Sequence, residues 1–537
     1  MADLVSIAGV TIAAFDKVWI IGCKAVAIVS DYQEFDKDSI ELANDLQVEN
    51  NRMKTLKCLL FEPSSAYSGQ SLFEQFDHNV QIQLQVYLGK LLNIISESGE
   101  LLKSQHITEG IHVVDQEISQ HEMKVSTSLT LTRRASRTLR IRWSLWGKAR
   151  LESIIKNFSK ENDRLHKQVQ MMCYATSIGV NLTHLDRLKT NEHSKRLGFD
   201  MTARLQLKVT GMETSAVSLQ LRNDELYRNL ATCARIESKF AVLSHLGINH
   251  LVEFRNYAPD KHEHVPLEGR THERVERLAY LLRQRKDPLL HALPCDGWTI
   301  DAERNQVAFL FAVPKDTEGM PSSLLSVYEN QAFRPSLGER FNLAKGLANS
   351  VSELHLVKWV HESIRSENIL LLLRSGSPDV STSAPTRLDF SQPWVMGFEF
   401  SRPELDFSSG RSDNDVARNV YRHPERQKHP QKPFAKIHDI YALGVVLLEI
   451  GLWRPVLSLE KDSFKRVSDP RTIQNYLIKK AEKSLPFQMG DRYKDIVVRC
   501  LTGNFDVDDD NKEDLKLQQA FRAKVIDVLD KTADSVG

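Results

Sequence analysis

Between Pro63 and Pro259 the chain contains no proline, although the full sequence has 18. Proline removes a backbone donor and clashes with the preceding turn, so a long proline-free stretch suits long helices packed as a bundle. The periodicity agrees. From Ser39 to Leu60 the apolar residues Ile40, Leu42, Leu46, Val48, Met53, Leu56, Leu59 and Leu60 fall mostly at helical spacings, with charges between them. Pro63, Ser64, Ser65 and Gly69 then mark a turn. Val80 to Leu88 alternates every second residue, as a strand would. Its continuation through Leu91, Leu92, Ile95, Leu101 and Leu102 predicts a long helix instead. A further helix is predicted from about Ile141 through Ala175. Residues 1–190 therefore read as an all-α helical bundle, and 191–235 as a brace or linker.

At 537 residues the chain exceeds one ordinary core. A hydrophobic fraction of 41% and a charged fraction of 26% are those of a folded soluble protein. The net charge of +1 creates no global attraction for nucleic acid, and no recognition motif supports one. The six cysteines form no CxxC pair, which argues against a zinc site or a disulfide framework and suits a reducing compartment. A cytoplasmic protein is expected.

Two local features point toward membranes. Leu4 to Phe15 is almost wholly apolar, and a second apolar run, Val18 to Val29, follows after Asp16 and Lys17. Each is shorter than the roughly 20 residues a spanning helix needs, and no basic segment precedes them as in a signal peptide. Buried bundle helices are the plainer reading. A membrane-active helix presenting Leu4, Ile7, Val10, Ile12 and Phe15 is the functional one. Between Glu122 and Glu152 stand eight basic residues and no acid: Lys124, Arg133, Arg134, Arg137, Arg140, Arg142, Lys148 and Arg150. This stretch reads as a solvated connection or as an attractor of anionic lipid head groups.

After about residue 235 the pattern changes. Val242-Leu243, His250–Phe254, Gly297–Ile300 and Val307–Phe311 read as strands, with a charged helix from Thr271 to Gln284 between them. Long helices follow near Leu337–Leu356 and Ile440–Gly451. Strands first and helices later predict an α+β fold over residues 236–537, a small sheet lobe followed by a larger helical one.

This half resembles the protein kinases. His361-Glu362-Ser363-Ile364-Arg365-Ser366-Glu367-Asn368 overlays H-R-D-L-x-x-x-N, Met396-Gly397-Phe398-Glu399 stands where a strand leads into D-F-G, and His423-Pro424-Glu425 resembles A-P-E. Asp439-Ile440-Tyr441 through Glu449 resembles the large-lobe helix that begins with a structural aspartate. The resemblance implies a bilobal kinase-like fold, and the departures imply lost chemistry. The base position is Ser363, the following lysine is Arg365, and the metal aspartate is Gly397. Asn368 keeps its place and stands as a candidate metal or nucleotide ligand. Arg255 is the candidate for the strand lysine, with Glu273 or Glu276 as its helix partner. No G-x-G-x-x-G occurs. Gly376–Thr386 reads as an insertion, and Phe400–Val420 as an activation loop with Ser408, Ser409 and Ser412 as modification candidates. A non-enzymatic pseudokinase is expected, with no cofactor beyond weak ATP binding.

The first half resembles the fungal HeLo domain of prion-inhibition and propagation and heterokaryon-incompatibility proteins. The features are the apolar N-terminal segment, the helix with Glu49-Asn50-Asn51-Arg52, and Arg142-Trp143, Lys148 and Leu151. In that family the bundle permeabilises membranes. The combination is similar in architecture to the mixed-lineage-kinase-domain-like executioners of necroptosis. It implies a regulated cell-death protein recruited to the plasma membrane, with anionic lipid, an upstream signalling protein and self-association through the bundle as partners. Two other readings stay open: an active atypical Ser/Thr kinase using a displaced carboxylate such as Glu362, Glu367 or Glu399, and a non-catalytic scaffold. No amyloid-forming repeat is evident at the C-terminus.

Overall fold

A computed structural model describes residues 7–31, 37–105, 148–210, 218–236, 239–245, 247–257, 266–315, 317–330, 333–374, 387–398, 402–403, 415–427, 432–466 and 469–536. Leu4, Arg133, Arg134, Arg137, Arg140, Arg142, Glu399, the Gly376–Thr386 insertion, Ser408, Ser409 and Ser412 lie outside the described residues. The chain divides into two compact units, Met1–Phe199 and Asp200–Gly537.

The first unit is helical: α1 (Ile7–Asp31), α2 (Lys37–Phe61), α3 (His78–Gln105), α4 (Lys148–Tyr174), α5 (Leu182–Thr190) and α6 (Glu192–Leu197). The two apolar N-terminal runs are one helix, because Lys17 points outward and Asp16 pairs with Lys57 at 2.5 Å. Thr11, Phe15, Val18, Gly22 and Ala25 line its buried side at alternating spacings of four and three, the spacing that keeps one helix face against its neighbours. Leu84, Leu88, Leu91 and Ile95 of α3 do the same. Polar residues fix the register. Glu49 of α2 accepts from Ser159 (2.8 Å) and Asn162 (2.6 Å) of α4, and Asn50 donates to the Trp19 carbonyl of α1 at 3.3 Å. Gly22 is required there, since a Cβ would lie 2.3 Å from the Asn50 amide oxygen.

Phe15 is 1% exposed, whereas Val10 is 46% exposed and Ile7 and Ile12 are half-buried. The apolar residues of α1 thus divide between core and surface. Among the described residues no helix is long and apolar enough to cross a membrane.

The second unit is α+β. After α7 (Phe199–Val209) and α8 (Asp224–Thr232), a five-stranded antiparallel sheet is built from β1 (Arg235–Ile236), β2 (Phe240–His245), β3 (Ile248–Asn256), β4 (Cys295–Asp301) and β5 (Gln306–Ala312), in the order β1-β2-β3-β5-β4. Helix α9 (Gly269–Arg283) connects β3 to β4 and packs on β4. Alternation along β3 sorts its side chains. Val252 and Phe254 pack with Leu226 and Leu230 of α8, and Leu251 joins the main core.

That core continues into the helical layer through β6 (Thr317–Ser323), α10 (Leu324–Glu329) and α11 (Leu337–Leu356). Helix α11 starts at a reciprocal capping box between Ser336 and Glu339. Then come β7 (Trp359–Val360), β8 (Ile369–Arg374), β9 (Arg387–Leu388), β10 (Trp394–Val395) and β11 (Arg402–Pro403). β8 pairs with β6, β9 and β10, and β7 with β11, all antiparallel. The chain ends in α12 (Val416–Asn419), α13 (Lys436–Leu452), α14 (Leu457–Arg466), α15 (Pro470–Met489), α16 (Asp491–Thr502), α17 (Leu515–Phe521) and α18 (Asp527–Val536). Fifteen residues of α13, from Lys436 to Gly451, are buried, so it is the central post of this layer.

Candidate functional site

The loop between β7 and β8 carries His361 to Asn368, and α13 holds it. The buried Asp439 carboxylate, in the first turn of α13, accepts the backbone N–H groups of His361 (2.8 Å) and Glu362 (3.0 Å), and His355 approaches at 3.3 Å. These donors satisfy the buried carboxylate oxygens, and a carboxylate side chain suits a helix N-terminus. Glu362 adopts φ +63°, a left-handed turn that this clamp holds in place. The His361 ring packs on Phe398 at 4.6 Å between centroids, and Phe398 on Trp359 at 5.5 Å. Burial lowers the His361 pKa to about 4, so the ring is neutral and its Nδ1 accepts from the Ser363 N–H.

Around this loop four sequence-predicted residues converge: Ser363, Asn368, Gly397 and Arg255. The Asn368 amide donates to the Ser363 carbonyl (2.7 Å) and hydroxyl (3.0 Å). Its oxygen accepts from the Lys239 ammonium at 2.6 Å. Gly397 has φ +81°, and a Cβ placed on it would lie 2.3 Å from the Asn368 amide nitrogen. The space beside Gly397 is therefore filled by the Asn368 side chain. The Gly397 N–H donates to Glu253 at 3.3 Å, and Glu253 takes Arg255 on its other oxygen at 3.1 Å. The Arg255 guanidinium also stacks over the Phe309 ring. Burial alone would raise the Glu253 pKa, but Arg255, Lys239 and the Gly397 N–H bring it below the ordinary range.

One expectation is corrected. The ion-pair partner of Arg255 is Glu253, two residues earlier on the same strand face, and not Glu273 or Glu276. Glu276 is turned to the 218–219 segment, where Ser218 and the Leu219 N–H donate to it. Arg365 is buried and pairs with Glu367 at 3.0 Å.

Lys239 and Glu253 were not singled out from the sequence. Glu253 carried a signal, being a carboxylate inside the apolar run Leu251-Val252-Glu253-Phe254 of a strand buried on both faces. Glu449 was also missed. It is fully buried near the end of α13 and accepts from Tyr421 (2.8 Å), the Val456 N–H (2.7 Å) and Ser366. Burial raises its pKa to about 7.

His423, Glu425 and His438 form a nearby cluster with metal-capable donor atoms. Both rings already use Nδ1 as acceptor, His423 from the Glu425 N–H and His438 from the Ala435 N–H at 3.0 Å. Each proton then sits on Nε2, which leaves no lone pair for an ion. A cavity of about 30 Å³ lies beside this cluster, edged by Ser363, Arg365 and Arg422.

Residues 280–535 match the family model described as Domain of unknown function (DUF7580). The match starts inside α9 and runs through α18, leaving β1 to β3 and the first unit outside it. No curated protein matches the chain.

Proposed function

We propose that the second unit is a protein-kinase-like module without phosphotransfer activity, and that it controls a membrane-active helical bundle in the first. The fold reading is supported by the strand order β1-β2-β3-β5-β4, by α9 between β3 and β4, and by the β7–β8 loop tied to Asp439. These lie in the order that the resemblance to kinases implies.

The observation that carries the loss of catalysis is the closed polar cluster of Lys239, Asn368, Ser363, Gly397 and Glu253. Phosphoryl transfer needs a carboxylate to take the hydroxyl proton and metal ions to neutralise the phosphates. Here Ser363 is neutral, the position of the metal carboxylate is occupied by an amide, and a lysine supplies the cation. Asn368 is engaged at both ends of its amide. Such a cluster serves as a rigid structural joint between β3 and the β7–β8 loop. A module of this kind acts by changing what it binds, so an upstream signalling protein is the partner expected for it.

For the first unit the support is α1, an apolar helix that leaves Val10 and Ile20 exposed while Phe15 and Val18 hold the core. Release of such a helix would offer an apolar face to a lipid surface. The test is nucleotide binding to the full chain with and without Mg²⁺. Strong Mg²⁺-dependent binding would favour the atypical-kinase reading and overturn the loss of catalysis.

A further inference from the structure

We propose that Cys58, Glu62 and His193 form a three-ligand zinc site in the first unit, open at its fourth position. Their donor atoms, one sulfur, one carboxylate oxygen and one ring nitrogen, all lie within 4.8 Å of one another. The local fold explains the convergence. Cys58 and Glu62 are four apart where α2 ends, and the Glu62 N–H still donates to the Cys58 carbonyl at 3.0 Å, so both side chains leave the same helix face. His193 enters from α6, which packs on α2, and its Nε2 stands 3.3 Å from Glu62.

Zinc bonds of roughly 2.0–2.3 Å at tetrahedral angles hold ligand atoms about 3.3–3.8 Å apart. Donors within 4.8 Å of one another need to close by about 1 Å at most to reach that spacing, a distance that side-chain torsions cover. A mixed sulfur, nitrogen and oxygen set is one that Zn²⁺ accepts, whereas Ca²⁺ and Mg²⁺ require oxygen throughout.

Two observations separate this cluster from the His423–Glu425–His438 group. The Nδ1 of His193 is buried with no hydrogen-bond partner, so neither ring nitrogen is committed to the backbone. Cys58 and Glu62 also line a cavity of about 340 Å³ walled by Phe15, Trp19, Met53 and Lys54, which leaves room for a water as fourth ligand. Two cations stand near and oppose an added charge. Lys57 is neutralised by Asp16 at 2.5 Å, and Lys54 is placed over the Trp19 ring. The Cys58 thiolate supplies the compensating negative charge. On binding, its S–H bond is replaced by S–Zn and the proton leaves to solvent. The spacing rule that argued against zinc looks for paired cysteines, and it misses a site whose third ligand comes from a distant helix.

The test uses the chelator-treated full chain. One equivalent of Co²⁺ should give a thiolate-to-cobalt charge-transfer absorption that Cys58→Ser abolishes, Glu62→Gln and His193→Gln weaken, and Cys23→Ser leaves intact. Saturating Zn²⁺ should raise the melting temperature by about 5 °C in the wild type and not in Cys58→Ser. Because a variant at the end of α2 can disturb folding, alkylation of wild-type Cys58, mapped by mass spectrometry, gives a second readout. Zn²⁺ should slow it at least tenfold. Absence of the cobalt band, its survival in Cys58→Ser, or alkylation unchanged by Zn²⁺ would each overturn the proposal.

Discussion

The carboxylate of Glu253 on β3 accepts the backbone N–H of Gly397 at 3.3 Å, across 144 positions of sequence. This bond joins the five-stranded sheet to the segment after β10, and both groups are buried. With Arg255 on its other oxygen, the carboxylate is neutralised in place. Buried groups of opposite charge thus satisfy one another on this face of β3, and the bond ties the strand to the segment after β10.

Placing at Gly397 the aspartate that the resemblance to kinases implies should therefore fail to create a metal site. The new Cβ would meet the Asn368 amide at 2.3 Å, and φ +81° strains any residue with a side chain. Gly397→Asp should lose about 2–4 kcal/mol in chemical denaturation. It should show no Mg²⁺-dependent thermal shift with ATP. A variant as stable as the wild type that gains such a shift would show that Asn368 yields to a carboxylate and an ion.

Phosphoryl transfer by the full chain should be indistinguishable from that of Asn368→Ala in a radiolabelled ATP assay. The same substitution should cost about 1–3 kcal/mol of stability, because it removes the buried amide that bonds the Lys239 ammonium and the Ser363 carbonyl. Autophosphorylation that disappears in Asn368→Ala would restore the atypical-kinase reading, with Glu362, Glu367 or Glu399 as candidate bases.

Much of this architecture is legible in the sequence, and the reasons are local. Helix α11 was expected at Leu337–Leu356 and lies there, since Ser336 and Glu339 form its capping box. Asp439 was legible as a structural aspartate only through the resemblance to the large-lobe helix of the protein kinases. Helix α1 was read as two runs because Asp16 and Lys17 interrupt the hydropathy. Its continuity leaves Asp16 and Lys17 off the buried face, and Asp16 pairs with Lys57, a partner that no local window contains. The Glu253–Gly397 and Lys239–Asn368 bonds were illegible for the same reason. Each is made by a tertiary approach of groups far apart in sequence, and the pair that the resemblance to kinases implies, Arg255 with Glu273 or Glu276, took their place.

Glu449 makes stability depend on pH. Its folded-state pKa of about 7 lies above the unfolded value near 4.5, so the folded state holds an extra proton between those values. Its contribution is fully present below pH 4.5 and is lost as pH rises through 7. The histidines run the other way. Burial holds His361 and His438 at about 4, so they favour folding as pH rises toward the unfolded value of 6.5. Comparing Glu449→Gln with the wild type isolates the glutamate. The glutamine oxygen keeps the Tyr421 and Val456 bonds, and its amide donates to Ser366. The variant should be more stable than the wild type by about 1–3 kcal/mol at pH 8, with the difference shrinking toward pH 5 in denaturant titrations. A difference that is flat with pH would mean that Glu449 is ionised throughout.

The membrane reading of the first unit rests on α1 and on the basic stretch between Glu122 and Glu152, most of which lies outside the described residues. Residues 1–199, expressed alone, should leak vesicles containing anionic lipid more readily than the full chain. Basic side chains contribute about 1 kcal/mol each near such a surface, and salt screens that attraction over about a Debye length. Leakage should therefore fall as ionic strength rises, and with Arg133, Arg134 and Arg137 replaced by glutamate. The insertion step needs a variant that tests the surface of α1 without touching its core. Phe15 is unsuitable because it is 1% exposed and packs on Phe61, and its loss would melt the bundle. Val10 is 46% exposed, so Val10→Glu should leave the melting temperature within about 2 °C of the parent and still reduce leakage several-fold. Leakage unchanged in a folded Val10→Glu would show that this face of α1 does not enter lipid. If the folded fragment ignores anionic vesicles even at low salt, the first unit is no membrane effector, and the chain reads as a scaffold.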